Sequence, residues 1–364
     1  MNLRPRKVSP SPVFLPEELV AEVLPFLPVK SLVRLKCVNK SWKSLISDPT
    51  FVKRHLSRSE RNVDFTIVSS SLGEISFTTF HLLENPPTTT TVTNGHYHQL
   101  NDKDNLYMVG SCNGLLCLLG DSHIIGNTCK YLRFWNPATR NISDKIGYFS
   151  QYDFRYPPNL EFAYDDSTDT YKVACFLSRR TDVRVFSLGH NVWRNIQNSP
   201  LDHDAMRNVV TFSGSFIWLA VDNHTGKRTI ISLDLSTETH TQFLPPQDFD
   251  DGSMIDPNLS MLNDCLCFSC DFRLTHLVIW QMKEFRVEDS WTQILKISYN
   301  NLQIYDLFPR LPLCLLEKND TLLLIDKYQS QMIIYTWRDN RAKAINKCWQ
   351  FNSKNYVESL VWYC

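Results

Sequence analysis

The sequence has no excess of either charge: 38 basic and 38 acidic side chains cancel over 364 residues, and the isoelectric point is near 7.1. No long-range field steers such a chain toward nucleic acid or an anionic membrane, so protein partners are the expectation. No apolar run approaches the roughly eighteen residues of a membrane-spanning helix, and the basic start MNLRPRKVSPSP leads into no apolar leader segment. From these absences a location in the cytoplasm or nucleus is expected. A Walker loop, a dinucleotide fingerprint and an HExxH pair are missing too, so no cofactor is expected.

Metal-binding and nucleophile patterns occur only as fragments. Cys265, Cys267 and Cys270, with His276 downstream, include one C-x-x-C but no second ligand pair; strand alternation puts Cys265 and Cys267 on one core face. His96 and His98 read as a solvated strand edge. Asp165, Asp166 and Asp169 crowd one turn without the glycine and glutamate of a calcium loop, and read as turn formers. Gly110-Ser111-Cys112-Asn113-Gly114 has the outline of a nucleophile elbow, but the elbow needs a following helix and LLCLLG reads as a strand. Neither a metal site nor a catalytic residue is assigned. The eleven cysteines, several inside GLLCLL, YKVACFL and DCLCFSC, read as reduced small hydrophobes. Without a leader, the Asn-x-Ser/Thr matches at Asn39, Asn141, Asn223, Asn258 and Asn319 read as chance.

What is present divides the chain in three: a disordered tail over 1–12, a small helical unit over 13–57, and an all-β region over 58–364. After Leu15-Pro16, Leu19, Val20, Val23, Leu24 and Leu27 recur at helical spacing, with Glu17 and Glu18 in the first turn. Pro25 should end this helix near Leu24. Ser31 is the expected cap of a second helix carrying Leu32, Val33 and Leu35. A third holds Val38, Trp42, Leu45 and Ile46 until Asp48-Pro49 breaks it. Three short helices make a very small core, so part of their apolar surface should wait for a partner.

The run LPEELVAEVLPFLPVKSLVRLKCVNKSWKSLISDPTFVKRHL, residues 15–56, resembles the F-box of the plant family that joins an F-box to a C-terminal F-box-associated domain. The likeness lies in Leu15-Pro16, LPVKSL at 27–32, Cys37-Val38, Lys40-Ser41-Trp42 and LISDP at 45–49. It implies docking on a Skp-type adaptor and, through it, a cullin. By the same resemblance Leu15, Pro16, Leu19, Val23, Leu27, Pro28, Leu32, Val38 and Trp42 are the adaptor contacts. On periodicity alone, the alternative is the internal core of an ordinary helical hairpin.

Beyond the helices, hairpin turns recur at Asn113-Gly114, 165–170, Ser213-Gly214, Asn263-Asp264 and Asn319-Asp320, at steps of about fifty residues, the spacing of propeller blades. Each precedes an apolar strand: LLCLLG, YKVACFL, SFIWLAV, CLCFSC and TLLLID. Five four-stranded units follow. YVESLVWY at the C-terminus reads as a first strand for FTIVSSS, EISFTTFHL and TVTNGHYHQ, closing a ring of about six blades and hiding its edges. A propeller of another size and a large β-sandwich are the alternatives. The family resemblance extends to GSCNGLLCL at 110–118, WNPATR at 135–140, YDDSTDTYKV at 164–173 and SWTQIL at 290–295. The adjacent glycines of a true kelch repeat are absent.

With strands A to D antiparallel in each blade, A–B and C–D turns share one end of the ring, and B–C and D–A connections share the other. The second set is longer and richer in aromatics: 143–158, with Tyr148, Phe149, Tyr152, Phe154, Arg155 and Tyr156, then 198–208, 247–257 and 298–312. A target protein is expected there, because rigid scaffolds carry binding residues on loops. The function read from the sequence is a non-catalytic substrate receptor of a ubiquitin ligase. A propeller enzyme of hydrolase or sugar-oxidising type, and a scaffold outside any ligase, are the alternatives.

Overall fold

A computed structural model describes residues 16–59, 65–71, 74–81, 88–93, 106–124, 127–150, 159–176, 181–201, 209–222, 225–247, 254–273, 275–300, 310–316, 320–326, 331–346 and 353–362. Helix α1 (Glu17–Val23) follows Pro16, whose carbonyl accepts from the amides of Leu19 at 3.1 Å and Val20 at 3.2 Å. Pro25 has no N–H to continue the ladder, and the chain tightens into a 3₁₀ turn over Leu24–Phe26, as expected. Helix α2 (Val29–Leu35) starts directly after Pro28 with no side-chain cap, so Ser31 lies inside the helix rather than capping it.

Helix α3 (Lys40–Ser47) is capped by Asn39, whose side chain accepts from the Trp42 amide at 2.7 Å. The sequence reading stopped the helices at Asp48-Pro49, giving three; the structure has a fourth, α4 (Pro49–Ser59). A proline is tolerated at a first helical position, where its missing donor would have had no partner. Asp48 Oδ1 then accepts from the amides of Thr50 at 2.9 Å and Phe51 at 3.2 Å, which starts the helix.

Strands β1 (Phe65–Ser71), β2 (Glu74–His81) and β3 (Thr88–Thr93) open the β region. The second blade holds β4 (Leu106–Cys112), β5 (Leu115–Ile124), β6 (Asn127–Asn136) and β7 (Asn141–Ile142), with β8 (Ile146–Ser150) also paired to β6. The third is β9 (Asn159–Asp165), β10 (Thr170–Phe176), β11 (Val183–Ser187) and β12 (Val192–Asn195). The fourth is β13 (Val210–Phe212), β14 (Ser215–Val221), β15 (Arg228–Asp234) and β16 (His240–Phe243). The fifth is β17 (Met254–Leu262), β18 (Cys265–Phe272), β19 (His276–Met282) and β20 (Trp291–Ser298). The sixth is β21 (Arg310–Leu316), β22 (Thr321–Asp326), β23 (Gln331–Thr336) and β24 (Arg341–Asn346), followed by β25 (Ser353–Tyr356). Every pairing is antiparallel, and β25 joins β1 with Ser69 opposite Ser353 and Thr66 opposite Tyr356. Six blades therefore form a ring that ends on its own beginning.

The tight A–B turns have the predicted chemistry. Asn113 and Gly114, Ser213 and Gly214, and Asn263 and Asp264 each place two consecutive residues at positive φ, as two-residue hairpins that match strand twist require. The core lies between blades rather than within them. Phe176, Val183 and Val185 pack on Phe216, Trp218 and Leu233 of the next blade, and Ile67 and Phe80 meet Leu323, Ile325 and Met332 across the closure. Each such side chain contributes roughly 1.5–3 kcal/mol on burial, so the ring is stabilised at every joint.

The closing strand departs from expectation. Only Tyr356 of YVESLVWY belongs to β25; residues 357–362 leave the sheet without regular structure.

Candidate functional site

The helical module has two faces. Its core gathers Val20, Leu24, Val29, Leu32, Ile46 and Phe51, with Leu27, Trp42 and Leu45 half-buried at its margin. His55 is buried beside it and its Nε2–H donates to the Leu27 carbonyl at 3.0 Å. Burial pushes the imidazole pKa down, and that bond only partly offsets the effect. By contrast Leu19, Val23, Phe26 and Val38 stand 53%, 55%, 72% and 61% exposed. Four large apolar residues on so small a unit form the kind of patch that marks an interface.

The structure sorts the predicted contact residues accordingly. Pro16, Leu19, Val23, Pro28 and Val38 are exposed, Leu27 and Trp42 are half-buried, and Leu15 lies outside the described residues. Leu32 is fully buried: it follows Val29 by three positions and shares that residue's inward side. Phe26, the most exposed of the four apolar residues above, was missed because it follows Pro25, where the helix was read as ending. A large aromatic between Pro25 and Pro28 was the available signal.

The inward core is completed by a distant residue. Leu360, buried, packs into it, and Ala138 from the β6–β7 turn lies alongside. Asn136 Nδ2 donates to the carbonyls of Ser359 at 3.0 Å and Val361 at 2.7 Å, and Ser359 Oγ donates to the Asn113 carbonyl at 2.6 Å. Lys53 of α4 meets Asp169 in the β9–β10 turn at 2.9 Å. The helices thus sit at the end of the ring that carries the A–B and C–D turns. B–C connections lie at the opposite end by strand direction.

Below this dock, Asp165 accepts from Ser167 and Thr168 and pairs with the buried Lys172 at 2.9 Å. Burial alone would raise the Asp165 carboxyl, but the Lys172, Thr168 and Ser167 bonds outweigh it and hold it well below the usual range. Asp165 is thus a turn former, as read, and also the counter-ion of an interior lysine.

The expected target-binding stretch is only partly described. Tyr148 is exposed, whereas Phe149 is buried edge-on against Trp193 of the next blade. The segment read as a loop holds β8, and this strand directs Phe149 inward. Tyr152, Phe154, Arg155 and Tyr156 lie outside the described residues, as do His96 and His98. Cys112 precedes a turn into β5, not a helix, so the elbow geometry is absent. Cys267 is buried, Cys265 is half-buried, and no metal-ligating group occurs among the described residues.

An F-box-like family model matches residues 13–59, and the model described as the F-box associated beta propeller domain matches residues 65–362. The chain belongs to this F-box family. It is 29% identical to F-box/kelch-repeat protein At3g23880 of Arabidopsis thaliana over 96% of both chains. It is 24% identical to F-box protein CPR1 of the same plant, covering 78% of this chain and 73% of that one. A chain from the crystal structure of a nidogen/laminin complex matches with TM-score 0.50 and 10% identity over 81% of this chain and 99% of its own, a likeness of fold alone. The helical module is therefore the F-box, and Leu19, Val23, Phe26 and Val38 are its exposed apolar residues.

Proposed function

We propose that the protein is the substrate-recognition subunit of a Skp-cullin-F-box ubiquitin ligase in the cytoplasm or nucleus. The free F-box face takes a Skp-type adaptor, the adaptor brings a cullin, and the far end of the propeller holds a target protein. The protein itself breaks no bond. It supplies proximity, converting transfer between two diffusing partners into transfer within one assembly.

The observation that carries this reading is the pairing of a completed inner core with an uncovered outer row. Leu360 fills the inward side of the F-box, yet Leu19, Val23, Phe26 and Val38 stay in water. Burying such side chains is worth about 1.5–3 kcal/mol each, enough for four of them to anchor a partner. Assembly with a Skp-type adaptor tests it: the wild-type chain should co-elute with the adaptor, and Leu19→Asp combined with Val23→Asp should abolish this while the propeller's unfolding transition stays put. Continued co-elution of the double variant would sink the proposal. A reconstituted ligase that carries ubiquitin to a captured partner would separate the receptor from a scaffold outside any ligase.

A further inference from the structure

Three of the four propeller stretches that carry the family resemblance gather at the F-box and the C-terminal residues packed beside it. In GSCNGLLCL, Asn113 offers its carbonyl to Ser359, and Gly114 lies so close that an added Cβ would stand 2.3 Å from Ser359 Oγ. In WNPATR, Asn136 holds the carbonyls of Ser359 and Val361, its own Oδ1 accepts from the Thr139 amide at 3.1 Å, and Ala138 touches the helical core. In YDDSTDTYKV, Asp169 meets Lys53 and accepts from the Tyr164 hydroxyl. These residues build a seat.

From this arrangement we infer that residues 357–362 are a strap that fixes the F-box on the propeller in one orientation, with Leu360 as its key. Ser359 anchors the strap to the second blade: it is fully buried, its Oγ donates to the Asn113 carbonyl and accepts from the Val361 amide at 3.2 Å, while the neighbouring Glu358 feels the charge of Lys30 in α2. Val361 and Trp362 pack against the joint of the second and third blades. Between these anchors Leu360 turns the other way, into the core formed by α1 to α4. One short segment is thereby bonded to the propeller and buried in the F-box. Besides the strap, Ala138 touches the helical core, and the bridge from Lys53 to Asp169 is exposed on both sides, where such pairs are worth little.

This inference rests on the proposed function only for its consequence. In a ligase receptor, the angle between the adaptor-bound F-box and the far end of the propeller decides which lysines a charged conjugating enzyme can reach. Leu360 and Asn136 are then positioning residues, remote from adaptor and target alike.

Hydrogen exchange on the full chain tests the strap without any partner. Leu360→Ala should raise exchange of α1 to α3 amides by about tenfold or more and leave β9 to β20 unchanged, while Leu360→Met should stay near wild type. Asn136→Ala, which keeps Leu360 but loosens its anchor, should give the same pattern more weakly. Small-angle scattering should report a broader spread of F-box positions for Leu360→Ala. In a reconstituted ligase, self-modification mapped on the chain's own lysines should spread to more sites, with adaptor affinity within about twofold. Wild-type exchange and scattering in Leu360→Ala would overturn the strap. If the wild-type chain fails to take up an adaptor, the ligase reading falls and the exchange result still decides the strap.

Discussion

The hydroxyl of Ser359 donates to the carbonyl oxygen of Asn113 at 2.6 Å, joining residues 246 positions apart. The bond is possible because the next residue, Gly114, has no side chain: a Cβ there would also stand 2.7 Å from the Val357 carbonyl, and its φ of +80° already disfavours other residues. Gly114→Ala should cost about 2 kcal/mol or more, through strain and displacement of the strap. Urea unfolding measures this, and an unchanged midpoint would mean that the strap is not held at this turn.

Phe26 should behave as a contact and not as core. Its ring is exposed and carries the Arg58 guanidinium over one face at 4.0 Å. Phe26→Ser is expected to weaken adaptor binding by roughly tenfold or more with the thermal midpoint almost unmoved. Calorimetry on the free and adaptor-bound chain reads both quantities.

Leu32 should do the reverse. Leu32→Ala removes a fully buried side chain from the F-box core and is expected to destabilise that module by about 2–5 kcal/mol. Adaptor binding would then fall through unfolding, so restoring the fold at lower temperature should restore it. Persistent loss in a fully folded variant would return Leu32 to the contact surface.

His55 makes F-box stability depend on pH. Its pKa is lowered in the folded protein by burial, so below about 6.5, the ordinary histidine value, the unfolded chain takes up the proton more readily. Its stabilisation is complete above that pH and is lost as pH falls toward the lower folded value. Helix signal in urea titrations at pH 7.5 and 5.5 should show the drop, and His55→Gln should flatten it.

Thiol reactivity should divide along burial. Burial pushes the thiols of Cys175, Cys267 and Cys270 up to about 12 and Cys117 well above the ordinary range, whereas Cys37 is exposed. At pH 8, iodoacetamide should modify Cys37 in the native chain and reach those four only after unfolding. Mass spectrometry of digests distinguishes the two sets.

Much of the architecture was legible because its causes are local. Positive-φ pairs such as Asn113-Gly114 and Ser213-Gly214 announce hairpins, and their recurrence beside apolar strands marked the blades. Pro25 announced the end of α1 for an equally local reason. Pro49 misled because proline both ends one helix and opens another, and only the Asp48 bonds to Thr50 and Phe51 tell which. The stretch around Phe149 read as loop because β8 pairs with a strand that precedes it, a long-range pairing that turns it into sheet.

The sequence by itself determined that short helices precede a ring of antiparallel blades, and that the helical unit is too small to hide its own leucines. Which leucines remain in water was decided only in three dimensions. Periodicity names the apolar side of a helix but not what covers it, and here the cover is Leu360, placed by Asn136 from more than two hundred positions away. A contact across that separation leaves no local pattern, because it exists only once the ring has closed and carried the two ends of the chain together.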